Sequence, residues 1–191
     1  MSESTGGDLT PADKAFLREL ASRAVAAAAT GLPAPDPDRV AADTGFVIGP
    51  ALRRERGAFV TLTSGGQLRG CIGSIEGFEP LVQAVVENAA NAAVGDPRFE
   101  PVGAGELGHL ELEISALTPL TPVPGPEAIE IGRHGIVLEH SGRRSVFLPQ
   151  VASEQGWDLE TTLDHLSLKA GLGRDAWRQG ARFQVFAAEV F

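Results

Sequence analysis

The stretch FVTLTSGGQLRGCIG, residues 59–73, decides the fold expected at the centre of this chain. Residues 59–63 are mainly β-branched, aromatic or aliphatic, which is the composition that strands favour. Residues 64–67 contain two glycines, which accept the positive φ of a tight hairpin turn. Residues 68–72 then return as a second strand. The stretch therefore predicts a β-hairpin whose second strand carries Cys71, the single cysteine of the chain.

Helix signals lie on both sides of this hairpin. Thr10 and Pro11 suit a helix start, because threonine caps the first turn and proline loses no hydrogen bond there. Gly31 suits the end of the same helix. The three prolines of residues 33–37 predict an extended connector. A second helix is predicted over residues 80–95, where apolar residues recur at the helical period.

The rest of the chain predicts further strands and a boundary. Residues 109–117 alternate between apolar and polar side chains, as a half-buried strand does. Four prolines in residues 118–126 predict a linker into a second lobe, because few contacts cross such joints. Beyond it, the sequence predicts strands at residues 128–131, 135–139 and 145–150, a helix at 158–170 and a closing strand at 183–191.

Together these elements predict an α+β fold of two lobes, each with an antiparallel sheet flanked by helices. The larger lobe is expected to span residues 9–119 plus 178–191, and the smaller lobe is expected to span residues 120–177. Residues 1–8 are polar and glycine-bearing, so we expect them to form a disordered tail.

Composition and charge restrict the classes of function. The 191 residues carry a net charge of -9, which disfavours nucleic acid as a partner because such binding depends on neutralising phosphates. The apolar stretches are shorter than the ~20 residues of a membrane helix, and the N-terminus lacks the pattern of a secretory signal. A single cysteine cannot form an intramolecular disulfide. These features predict a cytoplasmic protein without membrane attachment.

Cys71 is the leading candidate for a working side chain. In a strand, residues two apart share a face, so Arg69 and Cys71 are expected side by side. Leu68 and Ile72 would then occupy the opposite, buried face. A guanidinium beside a thiol favours the thiolate, which is the nucleophilic and metal-binding form. The alternative is a buried cysteine that acts only as a small hydrophobic residue.

Gly70 and Gly73 add a second clue in the same strand. Glycine weakens a strand, and in a strand it often marks a bulge or the close approach of a ligand or another backbone. The two glycines therefore predict that something lies directly against this part of the hairpin.

Other polar residues give further candidates, each with an alternative. His134, in a predicted turn, is either an acid–base group or an exposed turn histidine. Arg98, in the turn at residues 96–99, is either an anion-binding residue or part of a helix-ending turn. Glu111 and Glu113 share a strand face and form either a carboxylate pair or the solvated side of a sheet.

No motif identifies a cofactor. The four histidines lack the spacing of a zinc site, and the chain has no CxxC pair. Phosphate-binding loops, dinucleotide fingerprints and the nucleophile elbow of hydrolases are also missing from the sequence. We therefore predict no metal site and leave the cofactor unassigned.

A series of separated strings resembles the AMMECR1 domain family and follows the order of that family from about residue 10 to the end of the chain. The central string, residues 68–73, looks like the signature hexapeptide LRGCIG of the family. The others are DPRF at 96–99, LTP at 117–119, HG at 134–135, LPQ at 148–150, WD at 157–158, KAGL at 169–172 and Trp177.

The resemblance implies a two-lobed α+β fold in which the signature strand faces a cleft between the lobes. Bacterial and archaeal relatives are described as protein A of a three-part system with a Memo-like protein and a radical SAM protein, and no reaction is established for the family. The chain is thus expected to be an accessory component of such a system, acting through the cleft around Cys71. The alternatives are a thiol-dependent enzyme, a non-catalytic binding module for a protein or a small anionic ligand, and a regulatory factor that associates with RNA or DNA.

The residues and the resemblance together give a set of site predictions. Catalytic roles are predicted for Cys71 and His134. Ser167 stands where many relatives carry a second cysteine, so a mechanism that needs two thiols is not expected. Ligand contacts are predicted for Arg69, Gly70, Gly73, Arg98, Gln150 and Lys169.

Overall fold

The structure, a computed structural model, describes residues 9–191, and the disordered tail predicted at residues 1–8 lies outside this range. The elements follow in the order α1 Pro11–Thr30, α2 Pro37–Thr44, α3 Pro50–Arg53, β1 Ala58–Ser64, β2 Gln67–Ser74, α4 Leu81–Val94, β3 Leu110–Leu117, β4 Thr121–Val123, β5 Gly135–His140, β6 Arg143–Phe147, α5 Pro149–Gln155, α6 Leu159–Lys169, β7 Arg182–Phe186 and β8 Ala188–Val190.

The strands form two four-stranded antiparallel sheets, so the predicted α+β class is confirmed. The chain divides into two compact units. The first ends at Leu117 and takes in Glu189–Phe191, and the second is Thr118–Ala188. None of the helices among the described residues is long and apolar enough to cross a membrane.

In the first unit, helices α1 and α4 cover a sheet of order β2-β1-β3-β8. The predicted cap of α1 is confirmed, since Thr10 and Asp13 exchange the two hydrogen bonds of a capping box. Gly31 closes the helix with a φ of 70°. The core between helices and sheet is fully buried and includes Leu17, Leu20, Val60, Leu62, Val85 and Ile114.

Two short helices follow the connector predicted at residues 33–37, of which residues 33–36 form neither helix nor strand. Helix α2 begins at Pro37 and α3 begins at Pro50, each with its proline in the first turn. Proline at that position leaves no intrahelical hydrogen bond unmade, so the same residue is compatible with a connector and with a helix start. Asp36 stabilises the start of α2 as its N-cap, because its side chain accepts a hydrogen bond from the backbone N–H of Arg39.

The second unit contains a sheet of order β4-β7-β5-β6, with helix α6 packed against β6. Asp158 caps α6 by accepting from the N–H of Thr161, and these hydrogen bonds hold the pKa of the Asp158 carboxyl below its usual value. The core of this unit contains Ile136, Leu138, Leu163, Leu166 and Phe183.

Several predicted boundaries in the second half are wrong. Residues 121–123 of the predicted linker form edge strand β4, and residues 128–131 form no strand. The predicted closing strand divides at Ala187 into β7 and β8, which belong to different sheets. Residues 178–188 therefore do not belong to the larger part, because β7 lies between β4 and β5 in the second sheet.

Candidate functional site

A β-bulge in strand β2 determines which side chains surround Cys71. Leu62 lies opposite Gly70, whereas Thr63 lies opposite Leu68, so Arg69 is an extra residue without a partner on β1. The extra residue resets the alternation and puts Leu68 on the same face as Cys71. Leu68 is 43% exposed, so its predicted burial is wrong. Ile72, as predicted, packs against the core of the first unit.

The guanidinium of Arg69 is bound away from the thiol. Its Nε and Nη2 donate to the two carboxylate oxygens of Glu106 at 2.8 and 3.0 Å, and its Nη1 donates to the carbonyl of Glu100 at 2.9 Å. The hydrogen bond with Arg69 lowers the pKa of Glu106 to about 2, and Glu106 in turn raises the pKa of Arg69. The predicted pairing of Arg69 with Cys71 is therefore replaced by an ion pair that fixes the bulge.

Asp96 joins the backbone of Cys71 to Arg98. Its carboxylate, only 3% exposed, accepts from the backbone N–H of Cys71 at 2.9 Å and from that of Arg98 at 3.1 Å. It also accepts from Nε and Nη2 of Arg98 at 2.9 and 2.6 Å. The hydrogen bonds from Arg98, followed by the one from Cys71, hold the pKa of Asp96 far below the usual range, and Asp96 raises the pKa of Arg98.

These hydrogen bonds give partners to backbone groups of Cys71 at the exposed edge of the first sheet. Strand β2 is an edge strand, so the N–H and C=O of Cys71 that point away from β1 have no strand partner. Asp96 accepts from the N–H, and Nη2 of Arg98 donates to the C=O at 3.2 Å. The turn at residues 96–99, predicted either to bind an anion or to end a helix, thus closes this edge and brings a guanidinium beside Cys71.

The thiol of Cys71 is half-buried and faces a hydroxyl group. Cys71 lies directly opposite Thr61, whose Oγ1 donates to Sγ at 3.4 Å. Across β1, Thr61 is also opposite Glu113, so the three side chains form one row over three strands. Cys71 is therefore not fully buried, since it retains partial exposure.

Gly70 and Gly73 mark close approaches, as predicted. A Cβ on Gly70 would lie 2.1 Å from the carbonyl oxygen of Ala92, because β2 rests directly on the backbone of α4. A Cβ on Gly73 would lie 2.3 Å from the carbonyl oxygen of Ala58 and 2.4 Å from the ring of Phe59. The approaching groups are parts of the protein itself, so the two glycines have a structural role.

The other predicted site residues lie in the second unit. His134 accepts a hydrogen bond at Nδ1 from the N–H of Glu130 at 3.1 Å. Lys169 donates to the carbonyl of Val146 at 2.9 Å and lies 4.9 Å from the ring centre of Phe147. Gln150 is exposed in the first turn of α5. The roles predicted for these three residues, and the cleft predicted between the lobes, stay predictions.

Asp96 and Thr61 are the residues of this site that the sequence did not single out. Asp96 was visible only as part of the DPRF string. If strand pairing is counted outward from the two-residue turn at Gly65 and Gly66 without a bulge, Cys71 lies opposite Val60. The bulge shifts the register by one residue and places Cys71 opposite Thr61. Among residues 9–191, no group of three or more His, Cys, Asp or Glu side chains is arranged to hold a metal ion.

Comparison with known proteins gives the chain a family. A protein of Methanosarcina acetivorans is 42% identical over 154 residues, which cover 78% of this chain and 77% of that protein. A protein of Thermofilum pendens is 38% identical over an alignment of 202 positions, which covers 97% of this chain and 92% of that protein.

A solved structure and a family model agree with these relatives. The crystal structure of the uncharacterized protein PH0010 from Pyrococcus horikoshii matches with a TM-score of 0.76 and 36% identity, over 92% of this chain and 88% of that one. The family model described as AMMECR1 matches residues 10–191. The chain therefore belongs to the AMMECR1 family, as the strings around Cys71 predicted.

Proposed function

We propose that this chain is an accessory protein that binds an anionic group of a ligand or partner at a surface formed by Cys71, Asp96 and Arg98, here called the Cys71 surface. The observation that carries the proposal is the guanidinium of Arg98, which is anchored by Asp96 and bonded to the Cys71 carbonyl, yet has a side chain that is 54% exposed. An anchored, exposed guanidinium binds carboxylates and phosphates without first losing side-chain freedom.

The thiol contributes a second kind of contact at the same place. Sulfur is polarizable and, as a thiolate, nucleophilic, so a group held by Arg98 would meet Cys71 as its nearest reactive neighbour on the strand. Binding, rather than a reaction, is the function supported best, because Arg98 is anchored beside Cys71, while among residues 9–191 the thiol has only the Thr61 hydroxyl as a side-chain hydrogen-bond donor.

Two alkylating reagents of similar size test the charge preference of this surface. Iodoacetate is anionic and iodoacetamide is neutral, and Cys71, the single cysteine, is the one thiol that reacts. We expect Arg98→Gln to lower the iodoacetate-to-iodoacetamide rate ratio by about threefold to fivefold, which corresponds to losing one nearby charge in water. Arg98→Lys keeps the charge and should retain most of the ratio.

Arg133→Gln is the matched control, because Arg133 is an exposed arginine that pairs with Glu130 in the other unit. It makes the same change in net charge and should leave the ratio unaltered. An unchanged ratio in Arg98→Gln, or a thiol that stays unlabelled in the folded protein, would remove the proposal.

The wider context is a system with a Memo-like protein and a radical SAM protein, as the family resemblance implies. If the Cys71 surface receives a partner, the purified chain should associate with one of these two proteins from the same organism. Arg98→Gln should weaken that association, whereas Arg133→Gln should not. Absence of association with both proteins, measured by size-exclusion chromatography at micromolar concentrations, would contradict this assignment.

A thiol-dependent reaction is the second candidate, and the hydrogen bond from Thr61 to Sγ favours it. This contact orients the sulfur on the exposed side of the sheet. Cys71→Ser separates the two candidates, because it keeps the guanidinium and the shape of the surface. Retained partner binding with loss of any thiol-dependent product supports a reaction, and retained binding without other change supports a binding role alone.

A further inference from the structure

The outer edge of strand β2 continues past the Cys71 surface to a second set of outward-facing backbone groups. In an antiparallel pair, residues that bond across to the neighbouring strand alternate with residues whose N–H and C=O point away from it. The N–H and C=O of Cys71 point away from β1, since they bind Asp96 and Arg98. The pairing of β1 with β2 is regular from Cys71 to Ser74, so Gly73 repeats this orientation about 7 Å farther along the edge.

The outward N–H and C=O of Gly73 are unpaired. Neither group has a hydrogen-bond partner among residues 9–191, and Gly73 is partly exposed. Such groups on an edge strand are a template for pairing with another chain. A residue placed directly opposite Gly73 would exchange two hydrogen bonds with it, one through its own N–H and one through its own carbonyl or carboxylate oxygen.

The guanidinium of Arg98 lies next to these groups and keeps one nitrogen unpaired. Its Nε and Nη2 bind Asp96, and Nη2 also binds the Cys71 carbonyl. Within the described part of the chain, Nη1 has no hydrogen-bond partner. Along this edge, the Cys71 carbonyl is the group that immediately precedes the N–H of Gly73. An anion that accepts from the Gly73 N–H is therefore also close to Arg98.

Asp96 shows how a carboxylate binds to this edge. One of its oxygens accepts both from the N–H of Cys71 at 2.9 Å and from Nη2 of Arg98 at 2.6 Å. The N–H of Gly73 and Nη1 of Arg98 offer the same combination of a backbone donor and a guanidinium donor, one step along the strand. A second carboxylate placed there would thus meet the kind of donors that Asp96 already uses.

The position of Asp96 and Arg98 also decides where a paired chain ends. They occupy the edge at Cys71, so a chain that pairs with Gly73 cannot continue in that direction. An antiparallel chain reaches this point with its C-terminus and places a carboxylate beside Arg98. A parallel chain would place its N-terminal amine there instead, where the guanidinium repels it. Charge therefore favours the antiparallel direction and a free C-terminal carboxylate.

Phe59 supplies a contact for the last side chain of such a peptide. It lies directly opposite Gly73 on β1, and its ring comes within 2.4 Å of the place that a Cβ on Gly73 would occupy. A residue opposite Gly73 on the outer side directs its side chain to the same face of the sheet. The partly exposed ring of Phe59 would lie next to that side chain, so an apolar last residue is favoured.

We propose that the edge of β2 at Gly73 binds the C-terminal residue of an extended peptide, an inference that rests on the anion binding assigned above to the Cys71 surface. The last N–H of the peptide donates to the C=O of Gly73. The terminal carboxylate accepts from the N–H of Gly73 and from Nη1 of Arg98. Backbone pairing supplies affinity, and the carboxylate fixes the position of the chain end. The partner is thus a protein with a free, apolar C-terminus.

Isothermal titration of the whole chain with the acetylated pentapeptide AATVL tests this proposal. We expect saturable binding, with a loss of about tenfold in affinity when the terminal carboxylate is replaced by an amide, and a similar loss for Arg98→Gln. Methylation of the leucine nitrogen removes the donor to the Gly73 carbonyl and should weaken binding by about fivefold. A final glycine in place of leucine should weaken it severalfold, because the contact with Phe59 is lost.

The changes on the peptide leave the protein unaltered, so their effects do not depend on the folding of a variant. Saturating peptide should also slow the alkylation of Cys71 by iodoacetamide, which locates the bound chain beside the thiol. Arg133→Gln, in the other unit, is the matched control and should leave the affinity unchanged.

Three results would each overturn the proposal: no saturable binding, an amidated peptide that binds as tightly as the free acid, or an N-methylated peptide that binds as tightly as the unmethylated one. The iodoacetate-to-iodoacetamide ratio involves no peptide and reports the anion preference of Arg98 separately. Any of the three results together with an altered ratio in Arg98→Gln would therefore reject the peptide and keep the anionic ligand, whereas an unaltered ratio would remove both.

Discussion

Arg69 and Arg98, beside β2, contact their carboxylates at 2.8 and 2.6 Å, whereas Arg144 and Arg182, beside β5, share Glu139 at 3.5 and 3.3 Å. The first pair also binds backbone carbonyls and holds an edge strand and its bulge in place. The second pair crosses the surface of a sheet whose strands are already paired. The difference teaches that short ion pairs linked to backbone carbonyls hold an edge strand in place, whereas longer pairs that share one carboxylate contribute less to the framework.

The largest effect is expected from a substitution that forces strand β2 away from helix α4. Gly70→Ala would put a methyl group 2.1 Å from the Ala92 carbonyl, where the approaching atom is backbone and cannot rotate away. We expect the free energy of unfolding to fall by about 3 kcal/mol, measured by urea denaturation. Gly105→Ala is the control, since nothing lies within 4 Å of its added Cβ. An equal effect in both variants would show that the contact with α4 does not fix the strand.

Removing the charge of Asp96 should have the next largest effect. Asp96→Asn takes one acceptor oxygen and the negative charge from a buried group that binds Cys71 and Arg98. We expect the melting temperature to fall by about 5 °C, because charged hydrogen bonds of this kind are the strong ones. Arg182→Gln, at an exposed and loosely paired arginine, should change it by less than about 2 °C. Similar shifts in the two variants would show that the short, backbone-linked ion pairs stabilise the fold no more than the shared ones.

Acid should weaken the framework pairs within a defined range of pH. Asp96 and Glu106 have folded-state pKa values below their unfolded values, with that of Glu106 lowered to about 2. The unfolded chain therefore takes up protons first, and the stability that these groups supply is complete above the unfolded values near 4 and is lost as the pH falls through the folded values. Urea midpoints measured between pH 5 and pH 2 should decline, and the Glu106→Gln variant should decline less. A midpoint independent of pH in this range would contradict the role given to both carboxylates.

For the hairpin of β1 and β2, the sequence predicted the turn, which depends on local residues, and missed the bulge, which depends on packing. The turn at Gly65 and Gly66 has positive φ at both residues, as their lack of a Cβ allows, and it can be predicted from the dipeptide. The bulge at Arg69 depends on the fit of Gly70 against the backbone of α4, which no short window of sequence contains. Because the bulge decides which guanidinium lies beside Cys71, the sequence placed Arg69 next to the thiol, whereas the structure places Arg98 there.

The prediction of a single closing strand at residues 183–191 was wrong for a related reason. Residues 183–191 show one alternating pattern, and such a pattern does not say which sheet each residue joins. Strand β7 ends at Phe186 and β8 begins at Ala188, so the chain leaves one sheet and enters the other within two residues. The backbone N–H of Ala187, between the two strands, donates to the Thr118 hydroxyl. That pairing joins residues 69 positions apart and is invisible to local periodicity.

The smallest expected effect concerns a buried hydroxyl in the second unit. Ser167 is fully buried in α6, and its Oγ has no hydrogen-bond partner among residues 9–191, in contrast to the four bonds that Asp96 accepts. An unpaired buried hydroxyl costs free energy, so Ser167→Ala and Ser167→Cys should each raise the stability by about 1 kcal/mol. The cysteine variant also keeps the volume of the buried side chain. Urea denaturation of both variants measures the gain. A loss of stability in both would mean that the hydroxyl is satisfied, and the second unit would then be as fully bonded as the framework around Cys71.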